Sequence, residues 1–276
     1  MDNRIATLKK AALNTSRILA HRGGRMSQLL YKAADVYRKT YNNLNYDMKT
    51  NGEFYVLDRI ASTAPITVFD VGANKGDYTM ACLSRFSSAT VHSFEIAPQT
   101  FRKLAHNVSS PRVVLNEFGL SNAAGSTVLR YNPDDDGSSS MVEGDKIHDG
   151  RWEEITVRVT TGDCYCEQNA VDQIDLVKVD VEGAEHLVFE GFSGTFKKGN
   201  ISAVQFEFGM VNIYSKFLLK DFWDFFSSHG FLLGPIMPTG VVFKSYNTRD
   251  EDFQGPPNFF AVHKSKPAVI EAVRRR

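Results

Sequence analysis

The chain has 276 residues, 42 % of them hydrophobic, with 32 basic side chains balanced by 32 acidic ones. This is enough for one large domain plus an extension and a sizeable core, and it excludes a disordered chain. Zero formal net charge excludes a global field drawing nucleic acid, so no nucleic-acid partner is expected.

The charge is unevenly spread: ten basic side chains against three acidic ones give residues 1–50 a net +7. Residues 3–20 suggest a helix. Met26, Leu29, Leu30, Ala33, Val36 and Tyr37 recur at clearer helical spacing, and "HRGGR" at 21–25 separates the two stretches. Residues 1–48 are read as a basic helical arm. It suits packing or a homodimer contact, with peripheral contact to an anionic membrane as the alternative. No stretch is apolar enough for a membrane span or a secretory leader. Three scattered cysteines argue against a disulfide framework. A cytoplasmic protein, free or at the inner face of a membrane, is the expectation.

From residue 49 to 266 the pattern is that of a second unit. "ITVFDVG" reads as a strand, a helical stripe follows through Tyr78, Ala81, Cys82, Arg85 and Phe86, and "ATVHSFE" is a second strand closing at Glu95. Pro98 suits the first turn of the next helix, and "RVVLNEFGLS" reads as a third strand. Strands alternating with helices imply right-handed crossovers and a parallel sheet. Residues 125–159 break the rhythm as a hairpin around the polar loop "DDDGSSSMVEGDKIHDG", long enough to be functional. "IDLVKVDVEGAE" and "ISAVQFEFG" resume the sheet. In "LKDFWDFFSSHG" helical spacing makes Phe222, Phe225 and Phe226 core residues rather than a sugar-stacking platform. "FLLGPI" and "NFFAVHK" close the sheet as an antiparallel pair, and residues 267–276 are set apart as a basic tail.

In such sheets ligands lie beyond the C-terminal strand ends. There Gly72 and Gly76 would let the backbone approach a ligand, Asp70 would accept hydrogen bonds, and Glu95 could bind both hydroxyls of a ribose. The spacing is neither that of a phosphate loop nor of a dinucleotide turn. Asp70 and Asp77 suit a cationic ligand better than a pyrophosphate, and S-adenosylmethionine fits best. A later acidic rim, Asp180 and Glu182 with Glu207 on the next strand, offers a general base or a ligand for an acceptor hydroxyl. His186 is a further candidate base, and His148 a remoter one. Ser138, Ser139 and Ser140 could bond a sugar. No metal is assigned; a divalent ion on Asp163, Asp180, Glu182 or Glu207 is the less favoured alternative, and the Cys164-x-Cys166 pair has no partner pair.

Taken together, "NGEFYVLDRI", "FDVGANKGDYT", "VHSFEIAP", "GLSNAAG", "GSSSM", "VKVDVEGAEHLVFEG" and "AVQFEFG" resemble the FkbM family of S-adenosylmethionine-dependent methyltransferases over roughly residues 50–262. The resemblance implies a Rossmann-like class I methyltransferase fold, α/β, with a mostly parallel seven-stranded sheet and an antiparallel last strand. Carried across by matching position, it places the cofactor on Asp70, Gly72, Ala73, Asn74, Gly76 and Glu95, with the segment around Asn116 to Ser121 at the adenine; Tyr78, Ile96, Gly119 and Leu120 complete the expected cofactor site. The residues themselves assign catalysis to Asp180, Glu182 and His186 and substrate contacts to Ser139, Ser140 and Glu207. The resemblance implies O-methylation of a small-molecule, glycan or glycolipid acceptor. A nicotinamide-dependent oxidoreductase and a non-catalytic adenosyl-ligand module are the rival readings.

Overall fold

The computed structural model of the chain describes residues 2–21, 23–134, 139–142 and 151–275. Two helices, α1 (Asp2–His21) and α2 (Arg25–Tyr41), come first. They are followed by α3 (Glu53–Ala61), β1 (Thr67–Val71), α4 (Asp77–Arg85), β2 (Thr90–Phe94), α5 (Pro98–Asn107) and β3 (Val113–Asn116). The apolar, β-branched β1 is buried along its length, as a central parallel strand must be. Pro98 occupies the first turn of α5, where its missing N–H leaves no partner wanting.

The single third strand expected over "RVVLNEFGLS" is divided. Phe118 packs on Phe94 and Tyr165 and turns the chain out of the main sheet. The next two residues, β4 (Gly119–Leu120), pair instead with a hairpin of β5 (Gly125–Tyr131) and β6 (Glu153–Thr160). The hairpin expected over 125–159 is thus present as a separate three-stranded sheet. Ser138 and His148 lie outside the described residues.

The chain continues through α6 (Gly162–Gln168), β7 (Ile174–Val179), α7 (Glu185–Gly191), α8 (Ser193–Lys197) and β8 (Ile201–Glu207). It ends with α9 (Asn212–Ser215), α10 (Leu219–Ser228), β9 (Phe231–Met237), β10 (Gly240–Val241), β11 (Asn258–His263) and α11 (Pro267–Val273). The main sheet runs β10-β9-β11-β8-β7-β1-β2-β3. Neighbours from β3 to β8 are parallel, and β11 is antiparallel to both strands beside it. This is the expected mostly parallel sheet, with the two-residue β10 added as an eighth strand at the β9 edge.

Residues set apart as a basic tail pack as structure. Ile270 and Val273 of α11 are buried, and Arg59 Nε of α3 donates to the Ala272 carbonyl at 2.9 Å. The apolar pair at this spacing gives the short helix a face that only the domain can cover. Among the described residues, no helix is long and apolar enough to cross a membrane.

One face of the sheet carries an aromatic core that includes Phe69, Phe94, Phe189, Phe206, Phe222 and Phe226. Phe222 and Phe226 are fully buried and Phe225 packs against the cluster, as the spacing in α10 predicts. The opposite face holds Val56, Leu57, Val68, Cys82 and Val91. Across that second face runs a row of buried polar side chains, Ser93, Asp70, Lys178 and Gln205, register partners on β2, β1, β7 and β8. Each is answered. Thr79 Oγ1 donates to Asp70 at 2.6 Å, Tyr78 OH donates to Gln205 Oε1 at 3.1 Å, and Gln205 Nε2 donates to Glu53 at 2.5 Å.

Gly72, with φ +83°, ends β1 beside the end of β7. A Cβ there would lie 1.8 Å from the Asp180 carbonyl oxygen, and a backbone atom cannot yield as a side chain can. Gly72→Ala should therefore cost about 3 kcal/mol or more, read as a lower urea midpoint; an unchanged midpoint would contradict the contact.

Candidate active site

A cavity of about 710 Å³ opens beyond the C-terminal ends of β1, β2, β7 and β8, where the reversal of strand order leaves room for a ligand. Its walls come from three sources: strand-end turns, the β5–β6 insertion through Leu129, Ser139 and Met141, and the segment after α2 through Leu44 and Tyr46.

On one side lie Gly72, Asn74, Glu95, Ile96, Gly119 and Leu120. Asn74 has a φ of +48°, a left-handed conformation costly for a residue with a side chain. It is held there because its N–H donates to Glu95 Oε2 at 2.9 Å. Glu95 Oε1 accepts from the Ala97 N–H at 2.8 Å, so the carboxylate is fixed through both oxygens and retains lone pairs for a ligand. The side-chain carbonyl oxygen of Asn74 is buried with no partner among the described residues. Ile96 and Leu120 supply apolar surface between these polar groups.

The other side is acidic: Asp180, Glu182 and Glu207 all line the cavity and are half-buried. Asp180 is paired with Lys178, Nζ to Oδ2, at 2.7 Å. Burial works against the charge of Lys178, but Asp180, Asp70 and Glu53 outweigh it and raise its pKa. Glu207 is pushed well above the usual carboxylate range by burial and then by the charges of Asp180, Glu182 and Glu185. Tyr46 is 64 % exposed, yet desolvation and then Glu207, Glu182 and Asp180 push its hydroxyl up to about 12.

The turn carrying Glu182 is strained: its φ is +52°, and Gly183 follows at +93°. Glu185 Oε1 accepts from the N–H of Val181 at 3.2 Å and of Gly183 at 3.1 Å, and Ser140 Oγ donates to the Glu182 carbonyl at 2.6 Å. Glu185 escaped the sequence reading, although a carboxylate two residues after a glycine at a helix start is a recognisable turn-closing signal. Lys39, Leu44, Tyr46, Met141 and Gln254 in the cavity wall were also unforeseen. They come from segments remote in sequence.

Several expected site residues stand elsewhere. Asp70 is fully buried beneath the cavity, where desolvation raises its pKa against the pull of Lys178 and Thr79; it is a structural counter-charge. Tyr78 lies on the same inner face, its ring under Lys178 Nζ at 5.1 Å. Ala73 and Gly76 face α5 rather than the cavity; a Cβ on Gly76 would meet Val108 at 2.5 Å and Leu104 at 2.9 Å. Gly76 thus admits neighbouring side chains, while Gly72 lines the cavity and also admits the Asp180 backbone. His186 stacks on Phe217 at 4.8 Å and is absent from the cavity wall; burial lowers its pKa. Ser140 holds the turn, while Ser139 reaches the cavity. Asp163 is engaged at the start of α8, accepting from the N–H groups of Gly194 and Thr195 at 2.7 and 2.8 Å. Among the described residues, no group of three acidic, histidine or cysteine side chains is arranged to hold a metal ion.

The family described as the methyltransferase FkbM domain matches residues 70–233. Hexuronic acid methyltransferase AglP of Haloferax volcanii is 30 % identical over 146 residues, 52 % of this chain and 56 % of that protein. Methyltransferase 1 of Beauveria bassiana is 28 % identical over 159 residues, 49 % of this chain and 63 % of that protein. The chain thus spans less than two thirds of the length of these curated relatives. Methyltransferase FkbM from Methylobacillus flagellatus overlays 72 % of this chain and 44 % of its own at a TM-score of 0.44 and 13 % identity, too loosely to bear on function.

Burial raises the Glu185 pKa from 4.5 to about 7, so the folded chain holds this proton more tightly than the unfolded chain. The group costs nothing at pH below 4.5 and progressively more as pH rises to about 7. Relative to Glu185→Gln, wild-type stability should fall by up to about 3 kcal/mol across that window. Urea unfolding at both ends measures it; parallel pH profiles would refute the assignment.

Proposed function

The chain belongs to the methyltransferase FkbM domain family, and on that footing we propose that it moves a methyl group from S-adenosylmethionine to a hydroxyl of a carbohydrate-containing or lipid-linked acceptor. The observation that carries the proposal is one cavity with a doubly anchored carboxylate, Glu95, on one side and three carboxylates, Asp180, Glu182 and Glu207, on the other. The residues present fit the cofactor. The Glu95 carboxylate suits a ribose diol, Ile96 and Leu120 suit an adenine face, and the buried, unanswered oxygen of Asn74 suits the ammonium of a methionine. When bound, S-adenosylmethionine supplies an electrophilic methyl on a sulfonium.

The acidic side binds and deprotonates the acceptor. Asp180 is neutralised by Lys178 and positions a hydroxyl. Glu207, pushed well above the usual carboxylate range by burial and the neighbouring charges, donates a hydrogen bond in its protonated form. Glu182 then takes the hydroxyl proton as general base, held in place by its strained turn. Carboxylates on both sides of the cavity disfavour a pyrophosphate, which weighs against a nicotinamide cofactor. The carbohydrate acceptor draws support from the resemblance to AglP, whose name specifies a hexuronic acid.

Incubation with methyl-labelled S-adenosylmethionine and hexuronic-acid glycans or glycolipids tests the reading. Label should appear on a hydroxyl and drop at least about a hundredfold in Glu182→Gln with cofactor affinity retained. Label on protein or RNA instead, or tighter binding of NAD than of S-adenosylmethionine, would overturn it. Glu95→Gln should weaken cofactor binding about tenfold or more in calorimetry with folding intact; an unaltered affinity would remove Glu95 from the cofactor site.

A further inference from the structure

We propose that α2 docks on an anionic lipid surface and thereby sets the mouth of the cavity at that surface. At 100° per residue, Met26, Leu29, Leu30, Val36, Tyr37 and Tyr41 of α2 share a roughly 140° arc. Their exposures run from 49 % to 72 %, and no residue of α2 is buried, so nothing among the described residues covers this face. A water-facing helix has no use for such an arc.

The charges around it select the occupant. Arg25 and Lys32 border one edge of the arc, with Lys39 beside them paired to Asp35 at 2.8 Å, and Arg38, paired to Asp35 at 3.3 Å, lies beyond the other. Asp35 is the helix's single acid. Basic side chains flanking an apolar face let a helix lie in a headgroup layer, its apolar side inserted and its long cations reaching the anions. Tyr37 and Tyr41 fit the same boundary, with an apolar ring and a wet hydroxyl. A second copy seated on this face would bring the same cationic rows together without counter-charge, and that pairing is disfavoured.

The helix is joined to the cavity. Lys39 lines it from the last turn of α2, Leu44 and Tyr46 follow, and Arg38 donates to Gln254, itself in the wall. A helix lying on lipid would present the mouth at headgroup depth, where a lipid-linked acceptor is confined. That last step rests on the methyl-transfer reading; the docking does not.

The full chain should co-sediment with vesicles of phosphatidylglycerol and phosphatidylcholine in equal parts, weakly with phosphatidylcholine alone, and less as salt rises. The double variant Leu29→Glu with Leu30→Glu should bind more than about tenfold more weakly, while calorimetry with S-adenosylmethionine is unchanged. Arg25→Glu with Lys32→Glu should lose the preference for the anionic lipid. Failure of wild type to bind the anionic vesicles, or binding by both double variants as tight as that of wild type, would overturn the proposal. So would a dimer in sedimentation that dissociates in the Leu29/Leu30 variant without any vesicle binding, which would assign the face to a second copy. Because cofactor binding is read separately, failure of the docking leaves the methyl-transfer reading standing.

Discussion

The site depends on one buried cation. Lys178 lies in β7 between Asp70 on β1 and Gln205 on β8, and its ammonium reaches past the strand end to Asp180. Without that charge, Asp70 would be an uncompensated carboxylate at 0 % exposure under a sheet, and such a group is expensive unless paired. Asp180, Glu182 and Glu207 would likewise crowd one wall without the ammonium that pairs with Asp180. The cation makes an acidic rim tolerable on top of an otherwise apolar fold. It also divides the carboxylates: Asp180 is paired with the ammonium at 2.7 Å, while burial and the neighbouring carboxylates push Glu207 well above the usual range.

Around this charge the backbone is bent where the cavity needs it. Asn74 and Glu182, both with positive φ, both line the cavity, in the turns after the neighbouring strands β1 and β7. Each is secured by a carboxylate or hydroxyl from another segment: Glu95 for the first, Glu185 and Ser140 for the second. Strain persists only where surrounding bonds over-determine it. Here two sets of bonds hold the two walls, so the cavity is organised before any ligand arrives.

The parallel sheet, the hairpin insertion and the acidic rim were legible because each is local. Alternating apolar runs, a polar loop and "VDVEG" declare themselves within a dozen residues. What the sequence obscured was direction. Asp70 looked like a ligand because it precedes the glycine turn, but period-two alternation along β1 sends its side chain to the inner face while Val71 and Gly72 reach the cavity. Tyr78 and His186 failed for the same reason, one helix residue turned inward and the other stacked on Phe217. The contributions of Tyr46 and Gln254 were hidden because no local pattern links segments some two hundred residues apart.

The contact of Gly72 with the Asp180 carbonyl gives the cavity one half that cannot drift and one that can. With no space between the strand ends, the turn after β1 and the acidic turn after β7 form a single part, and variation in either disturbs both. The opposite boundary, from Leu44 and Tyr46 through Ser139 and Met141 to Gln254, is made of side chains on loops and on the insertion. On the proposed methyl-transfer reading, new acceptor preferences arise there by substitution without rebuilding the strand-end turns. That boundary is where a designer, or a diverging lineage, has freedom to move.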